Sequence, residues 1–217
     1  GDKKKVSQMD VCQTPPHALE PLYQYIPGHW VIWESAVGPE KILQKAFESK
    51  GYKVIGTDLM YGTQYNRFTY RPNSFDPSTG YEPLYDVEIT NMPFSIKYEW
   101  LAQAFIDFRP FALLAPYETT AAAAFHKLFK EYNGKPWQIE KLTPTRRINY
   151  KMPNKGWDSS AQMPTCWITW GLNIHHTKNI DETLFEYVVP MRSVKYNEDN
   201  REIVKELHDR RTKKETR

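Results

Sequence analysis

Apolar residues along the chain fall into short blocks whose spacing alternates between strand and helix. Residues 13–19 open with Gln13, Thr14, Pro15 and Pro16, a proline-marked turn that predicts a short helix start. Residues 30–34, ending Ile32, Trp33, Glu34, predict a buried strand, and residues 35–39 a turn that contains Gly38. Across residues 40–50, Ile42, Leu43, Ala46 and Phe47 share one helical face, and Gly51 stops the helix. Residues 52–57 return to strand and end at Asp58, which completes a βαβ unit of minimum size.

The periodicity lapses over residues 60–83, a stretch rich in Tyr, Asn, Pro and Gly that predicts a long loop with one short strand. It resumes with a strand at residues 85–90. Ser95 is placed to cap a helix whose apolar face is Ile96, Trp100, Leu101, Ala104 and Phe105. Residues 111–115 are apolar without alternation, as in a strand buried on both faces of a parallel sheet. Thr119 or Thr120 would cap the next helix, which runs through Ala121, Ala124, Phe125, Leu128 and Phe129 and stops before Gly134. Residues 137–142 predict a strand, residues 141–158 a basic loop, and residues 165–172 and 184–189 two late strands. From Asn197 onward the pattern is a charged helix running into a tail. This alternation predicts an α/β fold built on a single doubly wound, mostly parallel, Rossmann-like sheet over residues 10–195, with residues 196–217 as a charged helix and tail.

Composition narrows the picture modestly. A length of 217 residues fits one domain with a substantial core. A formal net charge of +3 permits contact with nucleic acid without demanding it. The aromatic share of 14% is high, and aromatic rings pack cores but also stack on bases. With Cys12 and Cys166 as the two cysteines, neither a disulfide framework nor a cysteine-rich zinc site is expected. His175 and His176 are adjacent, which is poor spacing for a zinc pair, so no metal is expected. No apolar run approaches the roughly 20 residues of a membrane span. A Lys-rich start without an apolar signal core makes the cytoplasm the expected compartment. The oligomeric state is left open.

In doubly wound sheets ligands bind beyond the carboxyl ends of the strands, at the switch point. Three suggestive segments lie at such ends: residues 34–39, Thr57 with Asp58, and Asn91 through Phe94. Asn91 supplies a side-chain oxygen, the backbone before Pro93 is held out of the helical region, and Phe94 adds a flat ring. Such a set suits a planar –NH2 group and the aromatic ring that carries it, as in adenine or cytosine. A strand ending in a Pro turn with a core Phe explains the same residues.

At these positions the chain resembles the S-adenosylmethionine-dependent amino-methyltransferases, especially the phage and bacterial N6-adenine DNA methyltransferases, over roughly residues 13–172, most of the chain. The family's first glycine-bearing loop reads acid-Pro-x-x-Gly-x-Gly. Glu34 and Gly38 match it, Ser35 replaces the Pro, and Glu40 replaces the second Gly. Asp58 matches the acid that binds the cofactor ribose. Asn91, Met92, Pro93 and Phe94 match three positions of the Asn/Asp-Pro-Pro-Tyr/Phe tetrad, and the residue at Met92 contributes its carbonyl. Thr14, with Pro15 and Pro16, is similar to the upstream motif that closes over the methionine end of the cofactor.

The resemblance implies a class I methyltransferase fold and S-adenosylmethionine as cofactor, held by Thr14, Glu34, Gly38, Asp58 and Asp76. It implies methyl transfer to an exocyclic amine, N6 of adenine in DNA first, in a bacterial or phage-infected cell, with Asn91, Met92, Pro93 and Phe94 as the catalytic set. Arg147 and Asn149, in a basic aromatic segment, are candidate substrate contacts, although a solvated strand edge accounts for them equally well. The changed loop near Gly38 keeps open a nucleic-acid-binding protein without catalysis. RNA or a protein amide are alternative substrates for the same tetrad.

Overall fold

The computed structural model describes residues 8–58, 85–153, 156–157, 163–174 and 185–189. Its first strand, β1 (Val31–Glu34), leads through α1 (Ile42–Ser49) to β2 (Lys53–Gly56), which lies parallel to β1. β3 (Val87–Asn91) lies parallel on the other side of β1. A turn and α2 (Lys97–Asp107) lead to β4 (Phe111–Pro116), parallel to β3 with Asn91 beside Leu114. After α3 (Ala123–Tyr132) come β5 (Ile139–Pro144) and a two-stranded hairpin of β6 (Lys151–Met152) and β7 (Gly156–Trp157). β8 (Thr165–Trp170) inserts antiparallel between β4 and β5, and β9 (Phe185–Val189) adds parallel to β5. The sheet order is β2-β1-β3-β4-β8-β5-β9. This is a doubly wound, mostly parallel α/β sheet, and the expected fold class holds.

Both faces of the sheet are covered, which is why its central strands read as unbroken apolar runs. Along β4, Ala112 and Leu114 join a core with Ile32, Phe47, Ile89 and Trp167. Phe111, Leu113 and Ala115 point the other way, to a core with Trp100, Leu101, Phe105 and Trp170. Trp167 and Trp170 are fully buried on opposite faces, as their two cores require.

Three local expectations are corrected. Ser95 does not cap α2: the turn after Pro93 continues as a 3-10 turn, Phe94–Ile96, so the helix begins at Lys97 with Ile96 before it. The Ser95 N–H instead donates to Asp10 Oδ1 at 3.1 Å. Neither Thr119 nor Thr120 caps α3, because both sit in the 3-10 turn Tyr117–Ala121 and extended Ala122 precedes the helix. The start of the basic 141–158 segment is strand rather than loop. The strand expected at residues 137–142 continues through Thr143 and Pro144, paired with β9, and the β6–β7 hairpin also falls within the expected loop. The 60–83 loop, His175, His176 and the tail from Asn197 lie outside the described residues. No helix among the described residues is long and apolar enough to cross a membrane.

Candidate active site

β1 has β2 on one side and β3 on the other, so the connections leaving their carboxyl ends diverge and open the switch-point crevice. Glu34 ends β1, Asn91 ends β3, and Asp58 follows β2.

The loop after β1 is fastened to the end of β2. Thr57 N–H donates to the Glu34 carbonyl at 2.9 Å, and Val37 N–H to the Thr57 carbonyl at 3.1 Å. Trp33 Nε1–H donates to Thr57 Oγ1 at 2.8 Å. Gly38 N–H donates to Asp58 Oδ2 at 3.0 Å, so two sequence-selected residues meet directly. Gly38 adopts φ 66°, and a Cβ there would lie 2.2 Å from Gln13 Nε2. The positive φ favours glycine, and a Cβ there would also displace the end of the Gln13 side chain.

Glu34 is almost fully buried and its Oε2 has no hydrogen-bond partner among the described residues. Thr90 Oγ1 donates to Oε1 at 3.3 Å. Burial pushes the carboxyl up to about 8, the Thr90 hydroxyl and the Gln44 backbone N–H oppose the shift, and the nearby Asp58 carboxylate adds to it. Gln44 lies in the first turn of α1, where backbone N–H groups lack helical partners. Burial thus disfavours the charged form of this carboxyl, and an ammonium brought beside it would favour that form again.

Asn91 sits at the register level of Leu114, and its amide is oriented by one hydrogen bond among the described residues. Its Nδ2 donates to the Cys12 carbonyl at 3.5 Å, and a carbonyl can only accept. Oδ1 is thereby the opposite end of the amide, and it is buried without a partner among the described residues. An unmatched buried acceptor costs on the order of 1–3 kcal/mol, so an external donor is the natural complement. Met92 sends its side chain into the core beside α2, which leaves its backbone as what it can offer the crevice. Pro93 and Phe94 are half-buried at the turn.

The segment before Pro15 crosses the crevice. Asp10 holds Ser95, Cys12 meets Asn91, and Gln13 packs on Gly38. Gln13 also exchanges two 2.9 Å backbone hydrogen bonds with Lys151. Thr14 is buried beside it, with Oγ1 lacking a partner among the described residues. Glu40, which stands where the family has glycine, pairs with Lys151 at 2.8 Å. Its side chain thus ties the loop to the crossing segment.

Arg147 and Asn149 follow β5, which runs parallel to β4, so they lie beyond the same edge of the sheet as Asn91. Arg147 is exposed and Asn149 half-buried, whereas Ile148 and Tyr150 turn inward and Tyr150 O–H donates to Thr165 Oγ1 at 2.8 Å. Asp76 lies outside the described residues. No group of three or more potential metal-ligating residues occurs among the described residues.

Glu88 escaped the sequence reading. It is buried in β3, accepts from Ser35 Oγ, and accepts from Trp100 Nε1–H at 3.2 Å through the same Oε1. It locks the loop after β1 to α2. The available signal was an acid between Val87 and Ile89 in an otherwise apolar strand.

No protein-family model matches the chain, and no curated protein matches it. Among solved structures, the chain is similar to the methyltransferase subunit of a type I restriction-modification system from Streptococcus thermophilus. That match has a TM-score of 0.49 and 10% identity, and it covers 88% of this chain and 46% of the other. The chain therefore spans less than half the length of that neighbour. It is also similar to a protein from Listeria monocytogenes assigned as a class I S-adenosylmethionine-dependent methyltransferase. Here the TM-score is 0.49, the identity 13%, and the coverage 95% of this chain and 74% of the other.

Proposed function

We propose that the crevice carries S-adenosylmethionine-dependent methyl transfer to an exocyclic amino group, N6 of adenine in DNA first. The observation that carries the reading is the buried Oδ1 of Asn91 at the carboxyl end of β3, which, like the buried Oε2 of Glu34 at the end of neighbouring β1, has no hydrogen-bond partner among the described residues. The donor set fits such a cofactor. Glu34 and Thr14 offer buried oxygens to an ammonium group, Gly38 allows close backbone approach, and Asp58 offers a carboxylate to ribose hydroxyls. Asp76 remains a candidate for the cofactor's adenine. When bound, the cofactor supplies an electrophilic methyl on a sulfonium.

The chain's own residues act on the amine. An aromatic amine is a poor nucleophile because its lone pair is shared with the ring. Asn91 Oδ1 and the Met92 carbonyl accept its two N–H bonds, which favours a pyramidal nitrogen with an available lone pair. These contacts strengthen as positive charge develops on nitrogen, so they stabilise the transition state above the ground state. Phe94 stacks on the base, worth roughly 1–3 kcal/mol. Pro93 fixes the turn that holds both acceptors. A base in a duplex must first be flipped out, and Arg147 and Asn149 suit contacts to backbone or base on the substrate side.

The test pairs calorimetry with S-adenosylmethionine and labelled-methyl transfer to DNA, RNA and protein substrates. Transfer to adenine in DNA is expected. Transfer to RNA or a protein amide alone would move the substrate class. Nucleic-acid binding without cofactor binding would leave a non-catalytic binding protein.

A further inference from the structure

The two ends of an amide are nearly equal in size, and a half turn about the last side-chain bond exchanges them. For Asn91 that exchange decides whether the crevice meets an acceptor oxygen or an N–H donor. Among the described residues the hydrogen bond that sets the choice comes from the Cys12 carbonyl, 3.5 Å from Nδ2. A carbonyl only accepts, so it holds Nδ2 and turns Oδ1 away, buried and without a partner among those residues. Cys12 stands in the segment that crosses the crevice, and that segment is pinned on both sides of it. Before it, Asp10 Oδ1 accepts from the Ser95 N–H at 3.1 Å, in the 3-10 turn that follows Pro93. After it, Gln13 exchanges two 2.9 Å backbone hydrogen bonds with Lys151 of β6. Asp10 therefore grips the turn that follows Asn91 and brings the Cys12 carbonyl up to the amide.

We propose that Asp10 is a positioning residue for methyl transfer: by holding residues 10–13 against the Asn91 turn, it sets which end of the Asn91 amide faces the acceptor amine. The inference rests on the methyl-transfer reading, in which Asn91 Oδ1 accepts an N–H bond of that amine. With the amide reversed, Oδ1 would face the Cys12 carbonyl, two acceptors together, and Nδ2 would face the amine, two donors together. Asp10 acts through Cys12 and Asn91 rather than on the amine itself. Its carboxylate makes a charge-assisted bond to the Ser95 N–H, stronger than the neutral contact that it supports. Removing that carboxylate leaves the Gln13 anchor in place, so the segment stays on the fold and loses its register on Asn91. A plain cap on the Phe94–Ile96 turn is the competing role for Asp10. The two roles separate in the Asn91→Asp background, because a carboxylate has two equivalent ends and no orientation to choose.

A double-mutant cycle on methyl transfer and the side-chain amide signals of Asn91 test it together. Asp10→Ala should lower kcat roughly 3- to 10-fold, the worth of one neutral hydrogen bond, with a smaller change in cofactor affinity by calorimetry. Asp10→Asn keeps an acceptor for the Ser95 N–H and should restore the rate. In the Asn91→Asp background, Asp10→Ala should change the rate by no more than about twofold. The amide signals need no turnover. In nitrogen-15 NMR the Asn91 pair is the one missing from Asn91→Asp. Its bonded proton should exchange slowly with water in wild type and Asp10→Asn, and in Asp10→Ala it should shift toward its solvent position and exchange faster. Equal loss of rate from Asp10→Ala in both backgrounds would make Asp10 a turn cap and overturn the proposal. So would Asn91 amide signals that coincide in wild type and Asp10→Ala. If wild type transfers no methyl group, the methyl-transfer reading falls, and the amide signals still decide whether Asp10 orients Asn91.

Discussion

Replacing Glu34 with Gln removes a buried titrating group while keeping its size and an acceptor oxygen. The carboxyl moves from 4.5 to about 8 through burial, opposed by Thr90 and Gln44 and reinforced by Asp58. Between those values the folded protein holds a proton that the unfolded chain has released. Stability therefore falls as pH rises through the window, and the loss is complete above about pH 8. From about pH 5.5 to about pH 8.5 the wild type should lose about 3 kcal/mol relative to Glu34→Gln, or about 6–12 °C in melting temperature for a chain of this size. Urea or thermal unfolding of both proteins across that range reads it directly. The gap should widen toward alkaline pH in favour of the variant. A gap that stays constant, or closes, would mean that the fold already accommodates an ionised carboxylate and that Glu34 is not a poised acceptor. A ligand that brings an ammonium to Oε2 should narrow the gap, because it supplies the missing partner of the charged form.

Other substitutions separate chemistry from architecture. Asn91→Ala should lower methyl transfer by about 100- to 1000-fold, as loss of one transition-state acceptor does, while calorimetry shows cofactor affinity little changed. Gly38→Ala should cost at least about 1–2 kcal/mol from its positive φ, with a further penalty from displacing Gln13; adding Gln13→Ala should recover only the second part in chemical denaturation. Ser35→Ala removes a donor from buried Glu88 and should cost about 1–3 kcal/mol, with a rise in KM for cofactor larger than the change in kcat.

Much of this arrangement was legible in the residues. Ile42, Leu43, Ala46 and Phe47 marked the buried face of α1, and the unbroken apolar run at Phe111 marked a central strand. Glycine at 38 and acids at 34 and 58 marked strand ends that the fold brings to one crevice. What stayed hidden depends on long-range pairing. The strand expected at residues 137–142 runs on through Thr143 and Pro144, where a loop was expected, because pairing with β9 extends to Pro144. Ser95, Thr119 and Thr120 have good capping chemistry, yet short 3-10 turns delay both helices beyond them. Glu88 and the contacts of Asp10, Cys12 and Gln13 join residues dozens of positions apart, which no local spacing reveals.

The central claim is that this crevice transfers a methyl group to an adenine amine. Incubation with S-adenosylmethionine labelled in its methyl group and unmodified DNA, followed by digestion to nucleosides and mass spectrometry, tests it directly. The expected result is label in N6-methyl-2′-deoxyadenosine, lost in Asn91→Ala. Unlabelled nucleosides, together with no cofactor binding at about millimolar concentration where RT ln Kd is only about −4 kcal/mol, would contradict it.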